Sequence, residues 1–245
     1  MNVALYARGR SAWTLAERAI TDHDREATGM TIGASTMRWD GDRLVVAIDE
    51  RTTPLGRPLR GTVVLHPEAH SGLELSIDER GDHRWWPVAP LARIEVDFTA
   101  PCVRFSGHGY HDANAGRVPL EDAFDRWSWS RARTPDAALM TYDVSCTSGA
   151  ERSHAFRVTA QGVVEELEGC HRTSMSRTVW GLDRQARVDP GARARVVRSL
   201  EDGPFYARSL IETTLGGRAV LAIHETLAAQ RLRKRWVRFC TAFRM

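Results

Sequence analysis

Short runs rich in β-branched, aromatic and aliphatic residues recur about every ten residues along the chain, with turn residues between them. Segments 1–6, 30–39, 43–50, 61–65, 73–77, 92–98 and 102–107 read as strands. Asp40-Gly41-Asp42, Pro54, Pro58, Ser71-Gly72 and Arg80-Gly81-Asp82 punctuate them. That rhythm leaves little room for helices and predicts an essentially all-β, antiparallel sandwich or barrel. In 43–49 the alternation is imperfect, but the β-branched content favours a strand.

After Pro119-Leu120 comes a charged, aromatic stretch, 121–133, and then a second series of strands at 138–146, 155–159, 162–167, 193–200, 205–214 and 218–226. The chain of 245 residues can bury a large core. Two β halves are expected, 1–120 and 121–245, divided near 117–135, with segment 123–129 packed at their junction.

Several function classes are excluded by what the chain lacks. There is no G-x-x-x-x-G-K-[ST] loop, no G-x-G-x-x-G between strand and helix, and no G-x-S-x-G elbow. The net charge of +3 is small, and most arginines stand singly among acids, so no nucleic-acid partner is expected. The exception is Arg231-Leu232-Arg233-Lys234-Arg235-Trp236. It reads first as a solvated edge before a last strand, and second as a surface resting on an anionic membrane beside Trp236 and Phe239. Cys102, Cys146, Cys170 and Cys240 are far apart, which suggests reduced thiols in a cytoplasmic protein rather than a zinc knuckle or disulfide framework. The start shows no leader pattern and no stretch reaches the roughly 18 apolar residues that span a bilayer, so an integral membrane protein is not expected.

The chemistry is concentrated in Gly107-His108-Gly109-Tyr110-His111-Asp112-Ala113-Asn114-Ala115-Gly116. In an extended strand His108, Tyr110, Asp112 and Asn114 share one face, and His111 points to the other. A second cluster, Asp82-His83-Arg84-Trp85-Trp86-Pro87, puts His83 and Trp85 on one face by the same rule. If the clusters converge on a cavity, a carboxyl, an imidazole, a phenol and an indole meet there. Simpler readings stand beside this one. Asp112 and Asn114 suit a turn. His83 and Trp85 suit a core histidine with an aromatic neighbour. Metal ligation by His108, His111 and Asp112 is disfavoured, because a strand sends His108 and His111 to opposite faces.

Together with Pro119-Leu120, Phe124, Trp127, Trp129 and Arg131, the segment 107–116 resembles the signature of the carotenoid 1,2-hydratases. The resemblance extends to Asn2-Val3-Ala4-Leu5-Tyr6, Arg38-Trp39-Asp40-Gly41, His83-Arg84-Trp85, His224-Glu225 and Phe243-Arg244-Met245. It implies a two-domain, lipocalin-like all-β fold with His83, Trp85, Tyr110 and Asp112 in catalysis. Members of that family usually carry a further N-terminal segment ahead of the part that begins here at Asn2, so the resemblance also implies an incomplete first barrel.

The implied reaction is addition of water to the terminal C1–C2 double bond of an acyclic carotene such as neurosporene or lycopene. It needs no cofactor, because protonating the less substituted carbon leaves a tertiary cation that water captures. Asp112 is the expected acid, held neutral by apolar surroundings. Trp85 and Tyr110 are expected to face the cation. His83 is expected to reprotonate or orient Asp112, or to position the water. The expected partners are the carotene, membrane lipid touched peripherally from the cytoplasm, and other enzymes of carotenoid synthesis. The competing reading is a lipocalin-like protein that binds a hydrophobic polyene or guides its cyclisation.

Overall fold

The computed structural model describes residues 1–6, 11–18 and 23–241. Among them β1 (Asn2–Leu5) and β2 (Ala12–Leu15) pair as a two-stranded antiparallel sheet. Next come β3 (His23–Glu26), β4 (Gly29–Ile32), β5 (Ser35–Asp40), β6 (Arg43–Arg51), β7 (Pro58–Ala69), β8 (Leu75–Ser76), β9 (His83–Ala100) and β10 (Cys102–Gly116). They form an eight-stranded sheet in the order β10-β9-β7-β6-β5-β4-β3, with β8 beside β9. The expected strand 30–39 is two strands, because Gly33 takes φ 61° and turns the chain between Ile32 and Ser35.

A short helix, α1 (Leu120–Ala123), precedes β11 (Phe124–Arg133), β12 (Ala137–Cys146), β13 (Glu151–Thr159) and β14 (Val164–Glu166). These are followed by β15 (His171–Ser174), β16 (Gln185–Val188), β17 (Arg195–Asp202), β18 (Tyr206–Leu215) and β19 (Arg218–Ala228). A seven-stranded sheet runs β14-β13-β12-β11-β19-β18-β17, and β15 pairs with β16 separately. The stretch expected to fill a junction is therefore strand β11, hydrogen-bonded to β12 and β19 on its two sides. Its aromatics alternate with serines and arginines, which suits a strand whose faces meet different surroundings. The pair β15–β16 was not foreseen, since its polar residues carry little strand signal. Between β18 and β19, Gly216 and Gly217 both have positive φ, as a two-residue hairpin of type I′ demands.

Packing groups Met1–Glu68 with Ala92–Tyr110 in one compact unit, and Ala69–Leu91 with His111–Thr241 in another. Sheet membership changes between Gly116 and Phe124, whereas packing draws part of β9 and the end of β10 into the second unit. Burial along β9 follows that division. His83, Trp85, Pro87 and Ala89 are buried at odd positions, the run Ala89–Ala92 is buried throughout, and Val96 and Phe98 are buried at even positions. Successive side chains point to opposite faces, so one strand supplies two cores.

In the first unit Ile48, Leu59, Val96 and Phe98 form the core, each large side chain contributing about 1.5–3 kcal/mol by burial. A Cβ on Gly61 would lie 2.6 Å from the Phe98 backbone, so only glycine fits there. In the second unit Leu139, Ile211, Leu215 and Ala222 form a core on one face of the seven-stranded sheet.

The basic run near the C-terminus is not an edge before a last strand. A 3-10 turn (Ala229–Arg233) leads into α2 (Arg235–Cys240), and its arginines bind carbonyls and acids of the second unit. Among the described residues no helix is long and apolar enough to cross a membrane. Phe243, Arg244 and Met245 lie outside the described residues.

Candidate active site

Trp85 and Asp112 meet in the second unit. The Trp85 indole is fully buried, and its Nε1–H donates to Asp112 Oδ2 at 2.9 Å. Both residues lie on strands, so backbone pairing rather than a loop sets their positions. The indole is wedged against the seven-stranded sheet: Tyr142 of β12 meets it edge-on at 5.1 Å between ring centroids, and Phe156 of β13 lies at 5.8 Å. Edge-on aromatic pairs of this kind add about 0.5–1.5 kcal/mol each beyond the area they bury.

The aromatic contacts continue. Trp127 of β11 meets Tyr142 edge-on at 5.6 Å and Tyr206 of β18 at 6.4 Å. Arg208 stands over the Tyr206 ring at 5.7 Å and pairs with Glu225 at 2.8 Å. Phe156, Trp85, Tyr142, Trp127 and Tyr206 thus form a continuous line of rings. Burial pushes the Tyr142 hydroxyl far above the usual phenol range, and the charges of Asp112 and Glu225 add to the effect. Tyr206 is raised similarly, by burial first and then by Glu225. Both phenols therefore remain neutral donors.

His83 is placed two residues before Trp85 and is equally buried, but it faces different partners. Its Nδ1 is 3.3 Å from Asp78 Oδ2, and its Nε2 is 3.0 Å from the Val118 carbonyl. An acidic side chain and a backbone carbonyl thus flank the ring on its two nitrogen sides. The ring packs on Phe124 at 4.6 Å, and a Cβ on Gly116 would come within 2.5 Å of it. Gly116 is thus the residue that lets His83 lie under the end of β10.

The other expected residues divide. Tyr110 is half-buried, two residues before Asp112, and alternation puts the pair on one side of β10. Tyr110 closes the first compact unit and Asp112 belongs to the second. His108 and Asn114 are exposed. His111 is half-buried, and burial lowers its imidazole pKa although the charge on Asp112 opposes the shift. Among the described residues no three His, Cys, Asp or Glu side chains converge as a metal-binding group.

Sequence reasoning missed Asp78, Tyr142, Phe156 and Tyr206. Tyr142 sits in an apolar run and Asp78 in a turn, and neither position carries a chemical signature of its own. Phe124 and Trp127 were expected only in a segment at the junction of the halves and in the family resemblance, and Glu225 only in the latter. His224, adjacent to Glu225, points to the opposite face of β19, where Ser130 Oγ lies 2.8 Å from Nδ1 and Thr226 Oγ1 3.2 Å from Nε2. A cleft of about 110 Å³ lined by Ser128, Asp143, Ser145 and Thr226 includes none of the four proposed catalytic residues.

The family model described as "Carotenoid hydratase CrtC" matches residues 1–245. The acyclic carotenoid 1,2-hydratase of Thiocapsa roseopersicina is 42% identical over all of this chain and 61% of its own length. The enzyme of the same name from Cereibacter sphaeroides is 36% identical over 95% of this chain and 83% of the relative. The chain therefore spans about three-fifths of the length of the Thiocapsa relative, 61%. Among solved structures, CghA with Sch210972 superposes with a TM-score of 0.53 over 80% of this chain and 68% of that one, at 9% identity, a likeness of fold alone.

Proposed function

The chain belongs to the carotenoid hydratase family, and from that premise we propose that it adds water across the terminal C1–C2 double bond of acyclic carotenes, neurosporene and lycopene among them. The hydrogen bond from Trp85 to Asp112, set in a line of buried aromatics, is the observation that carries this reading. An unactivated alkene requires a strong proton donor, and Asp112 is the acid. Its Oδ2 accepts the indole N–H, which leaves Oδ1 to carry the transferable proton once the carboxylate is protonated.

Asp112 gives that proton to C2, the two π electrons form the new C–H bond, and C1 is left as a tertiary cation. The faces of the nearby aromatics attract the cation by about 2 kcal/mol where water is excluded. Trp85 and Tyr142 are the rings in this role. Water then bonds to C1 and loses a proton, which returns to the Asp112 carboxylate. Atoms and charge balance with one water consumed. No electrons are exchanged, so no cofactor is called for.

His83 is a positioning residue in this scheme. Its bonds to Asp78 and Val118 tie the start of β9 to the segment just after β10, and so hold Asp112 against Trp85. The substrate is a long polyene dissolved in lipid, so the protein collects it by peripheral contact with a membrane, alongside other enzymes of carotenoid synthesis.

The test is to incubate the chain with neurosporene or lycopene and follow the product by mass spectrometry. Gain of one water is expected. Recovery of unchanged carotene from a stable complex would instead identify a binding protein.

A further inference from the structure

A turn and a helix of the second unit hold large apolar side chains out into solvent. Val179 is 93% exposed, Phe239 70% and Trp236 49%. They belong together, because Trp180 stacks on Trp236 with ring centroids 6.0 Å apart and planes 28° from parallel. Exposure here is built in. Gly181, at φ 70°, closes the turn with bonds between Thr178 and Leu182. Arg231 clamps it from below through the carbonyls of Trp180, Pro204 and Gly181. On α2, Val237 is fully buried and fixes which face of the helix looks outward.

Most charges beside this apolar ledge are paired, Asp202, which accepts the Val179 N–H, lying 3.7 Å from Arg184. Arg177, Arg233 and Arg238 are neutralised by Asp183, Asp122 and Glu121. Among the described residues no acid pairs with Lys234 or Arg235, which flank Trp236 directly. Two stacked indoles, a phenylalanine and a valine beside uncompensated cations are the composition of an interfacial anchor: rings enter the headgroup layer and cations meet its anions. A symmetric contact with a second copy would face these cations with their own image, which is repulsive.

We propose that the Val179–Trp180 turn and the outer face of α2 form a docking surface for an anionic lipid bilayer. This deepens the reading above, on which the substrate is taken from a membrane, by naming where the chain meets it.

The test is co-sedimentation of the full chain with vesicles of phosphatidylcholine, with and without phosphatidylglycerol. Binding to the anionic vesicles is expected to exceed binding to the neutral ones by at least about tenfold and to weaken with salt. Val179→Asp with Phe239→Ser, and separately Lys234→Glu with Arg235→Glu, should each lower it by at least about tenfold. All four side chains point outward, and unchanged melting temperatures would verify folding. Parent protein that ignores anionic vesicles, or variants that bind as the parent does, would overturn the proposal. So would a concentration-dependent dimer abolished by the first pair, which would assign the ledge to a second copy. Hydration of detergent-dispersed neurosporene separates the two readings, since both variants should retain the parent's rate there. A parent that binds vesicles but never hydrates leaves the docking surface standing and removes the hydratase; one that hydrates in detergent without binding vesicles does the reverse.

Discussion

The two faces of the seven-stranded sheet differ in chemistry, although both are largely buried. On one, Glu225, Trp129 and Tyr142 lie side by side across β19, β11 and β12. One residue along each strand, and therefore on the other face, lie His224, Ser130 and Thr141. The first row belongs to the aromatic side that meets Trp85 and Asp112. The second belongs to the face that also carries the Leu139, Ile211, Leu215 and Ala222 core, where His224 is held between two hydroxyls and Asp143 takes a bidentate Arg187 at 2.7–3.0 Å. A strand gives adjacent residues to opposite environments, so one sheet can carry chemistry on one side and structural polarity on the other. On that side the buried polar groups bind one another within an apolar core. The aromatic side offers π faces and an acid, which suit a substrate.

The sharpest test of this contrast is Asp112→Asn. The amide keeps the shape of the carboxyl but has no acidic proton, so single-turnover hydration should fall about 10²–10⁴-fold, with carotene binding and melting temperature preserved. Near-normal turnover would mean that the proton comes from elsewhere, and His83 would be next to examine.

On the opposite face, Asp143→Ala should do the converse. It strands a mostly buried guanidinium, and a loss of about 3 kcal/mol in stability is expected from denaturant melts. Hydration per folded molecule should be unchanged; a selective loss of rate would break the division between the faces.

Acid should also act through the polar face. Burial, aided by the charge of Arg184, lowers the His224 pKa to about 3. The unfolded chain takes up that proton at about pH 6.5. The folded-state pKa is depressed, so this contribution is complete above about pH 6.5 and is lost progressively as the pH falls towards 3. Roughly 2 kcal/mol should be gone by about pH 5. His224→Gln should flatten the stability–pH curve over that range, and an unaltered curve would show that another group is responsible.

A smaller effect is expected of Trp85→Phe, which keeps an aromatic face but removes the indole donor to Asp112. A drop in rate of about tenfold is reasonable for one hydrogen bond to a carboxyl. Trp85→Leu should be worse, because the π face is lost too. The smallest change is Ser209→Ala. The Ser209 hydroxyl is buried without a hydrogen-bond partner, so its removal should shift stability by less than about 0.5 kcal/mol in either direction.

Much of this was legible in the residues. Turn signals and β-branched runs marked most strands, because they report on local backbone preference. Alternation placed Tyr110 with Asp112, and His83 with Trp85, because that geometry is a property of any strand. It failed where neighbours decide. Residues 83–100 form one strand although Pro87 and Pro90 interrupt the usual signal, and the serine-rich β11 is a central strand because β12 and β19 flank it on both sides.

The sequence by itself thus determined the β class, the order of most strands and the polar segments from which an acid could come. Tertiary structure decided which groups those segments meet. Asp78 and Val118 hold His83, and Tyr142 and Phe156 enclose Trp85, through contacts between residues up to 71 positions apart in the chain. Such contacts leave no mark in local composition: a tyrosine in an apolar run reads the same whether it faces a core or an acid. Only the packing of one strand against another, which depends on the whole chain at once, makes Tyr142 a neighbour of the site and His224, in the next row, a buried support.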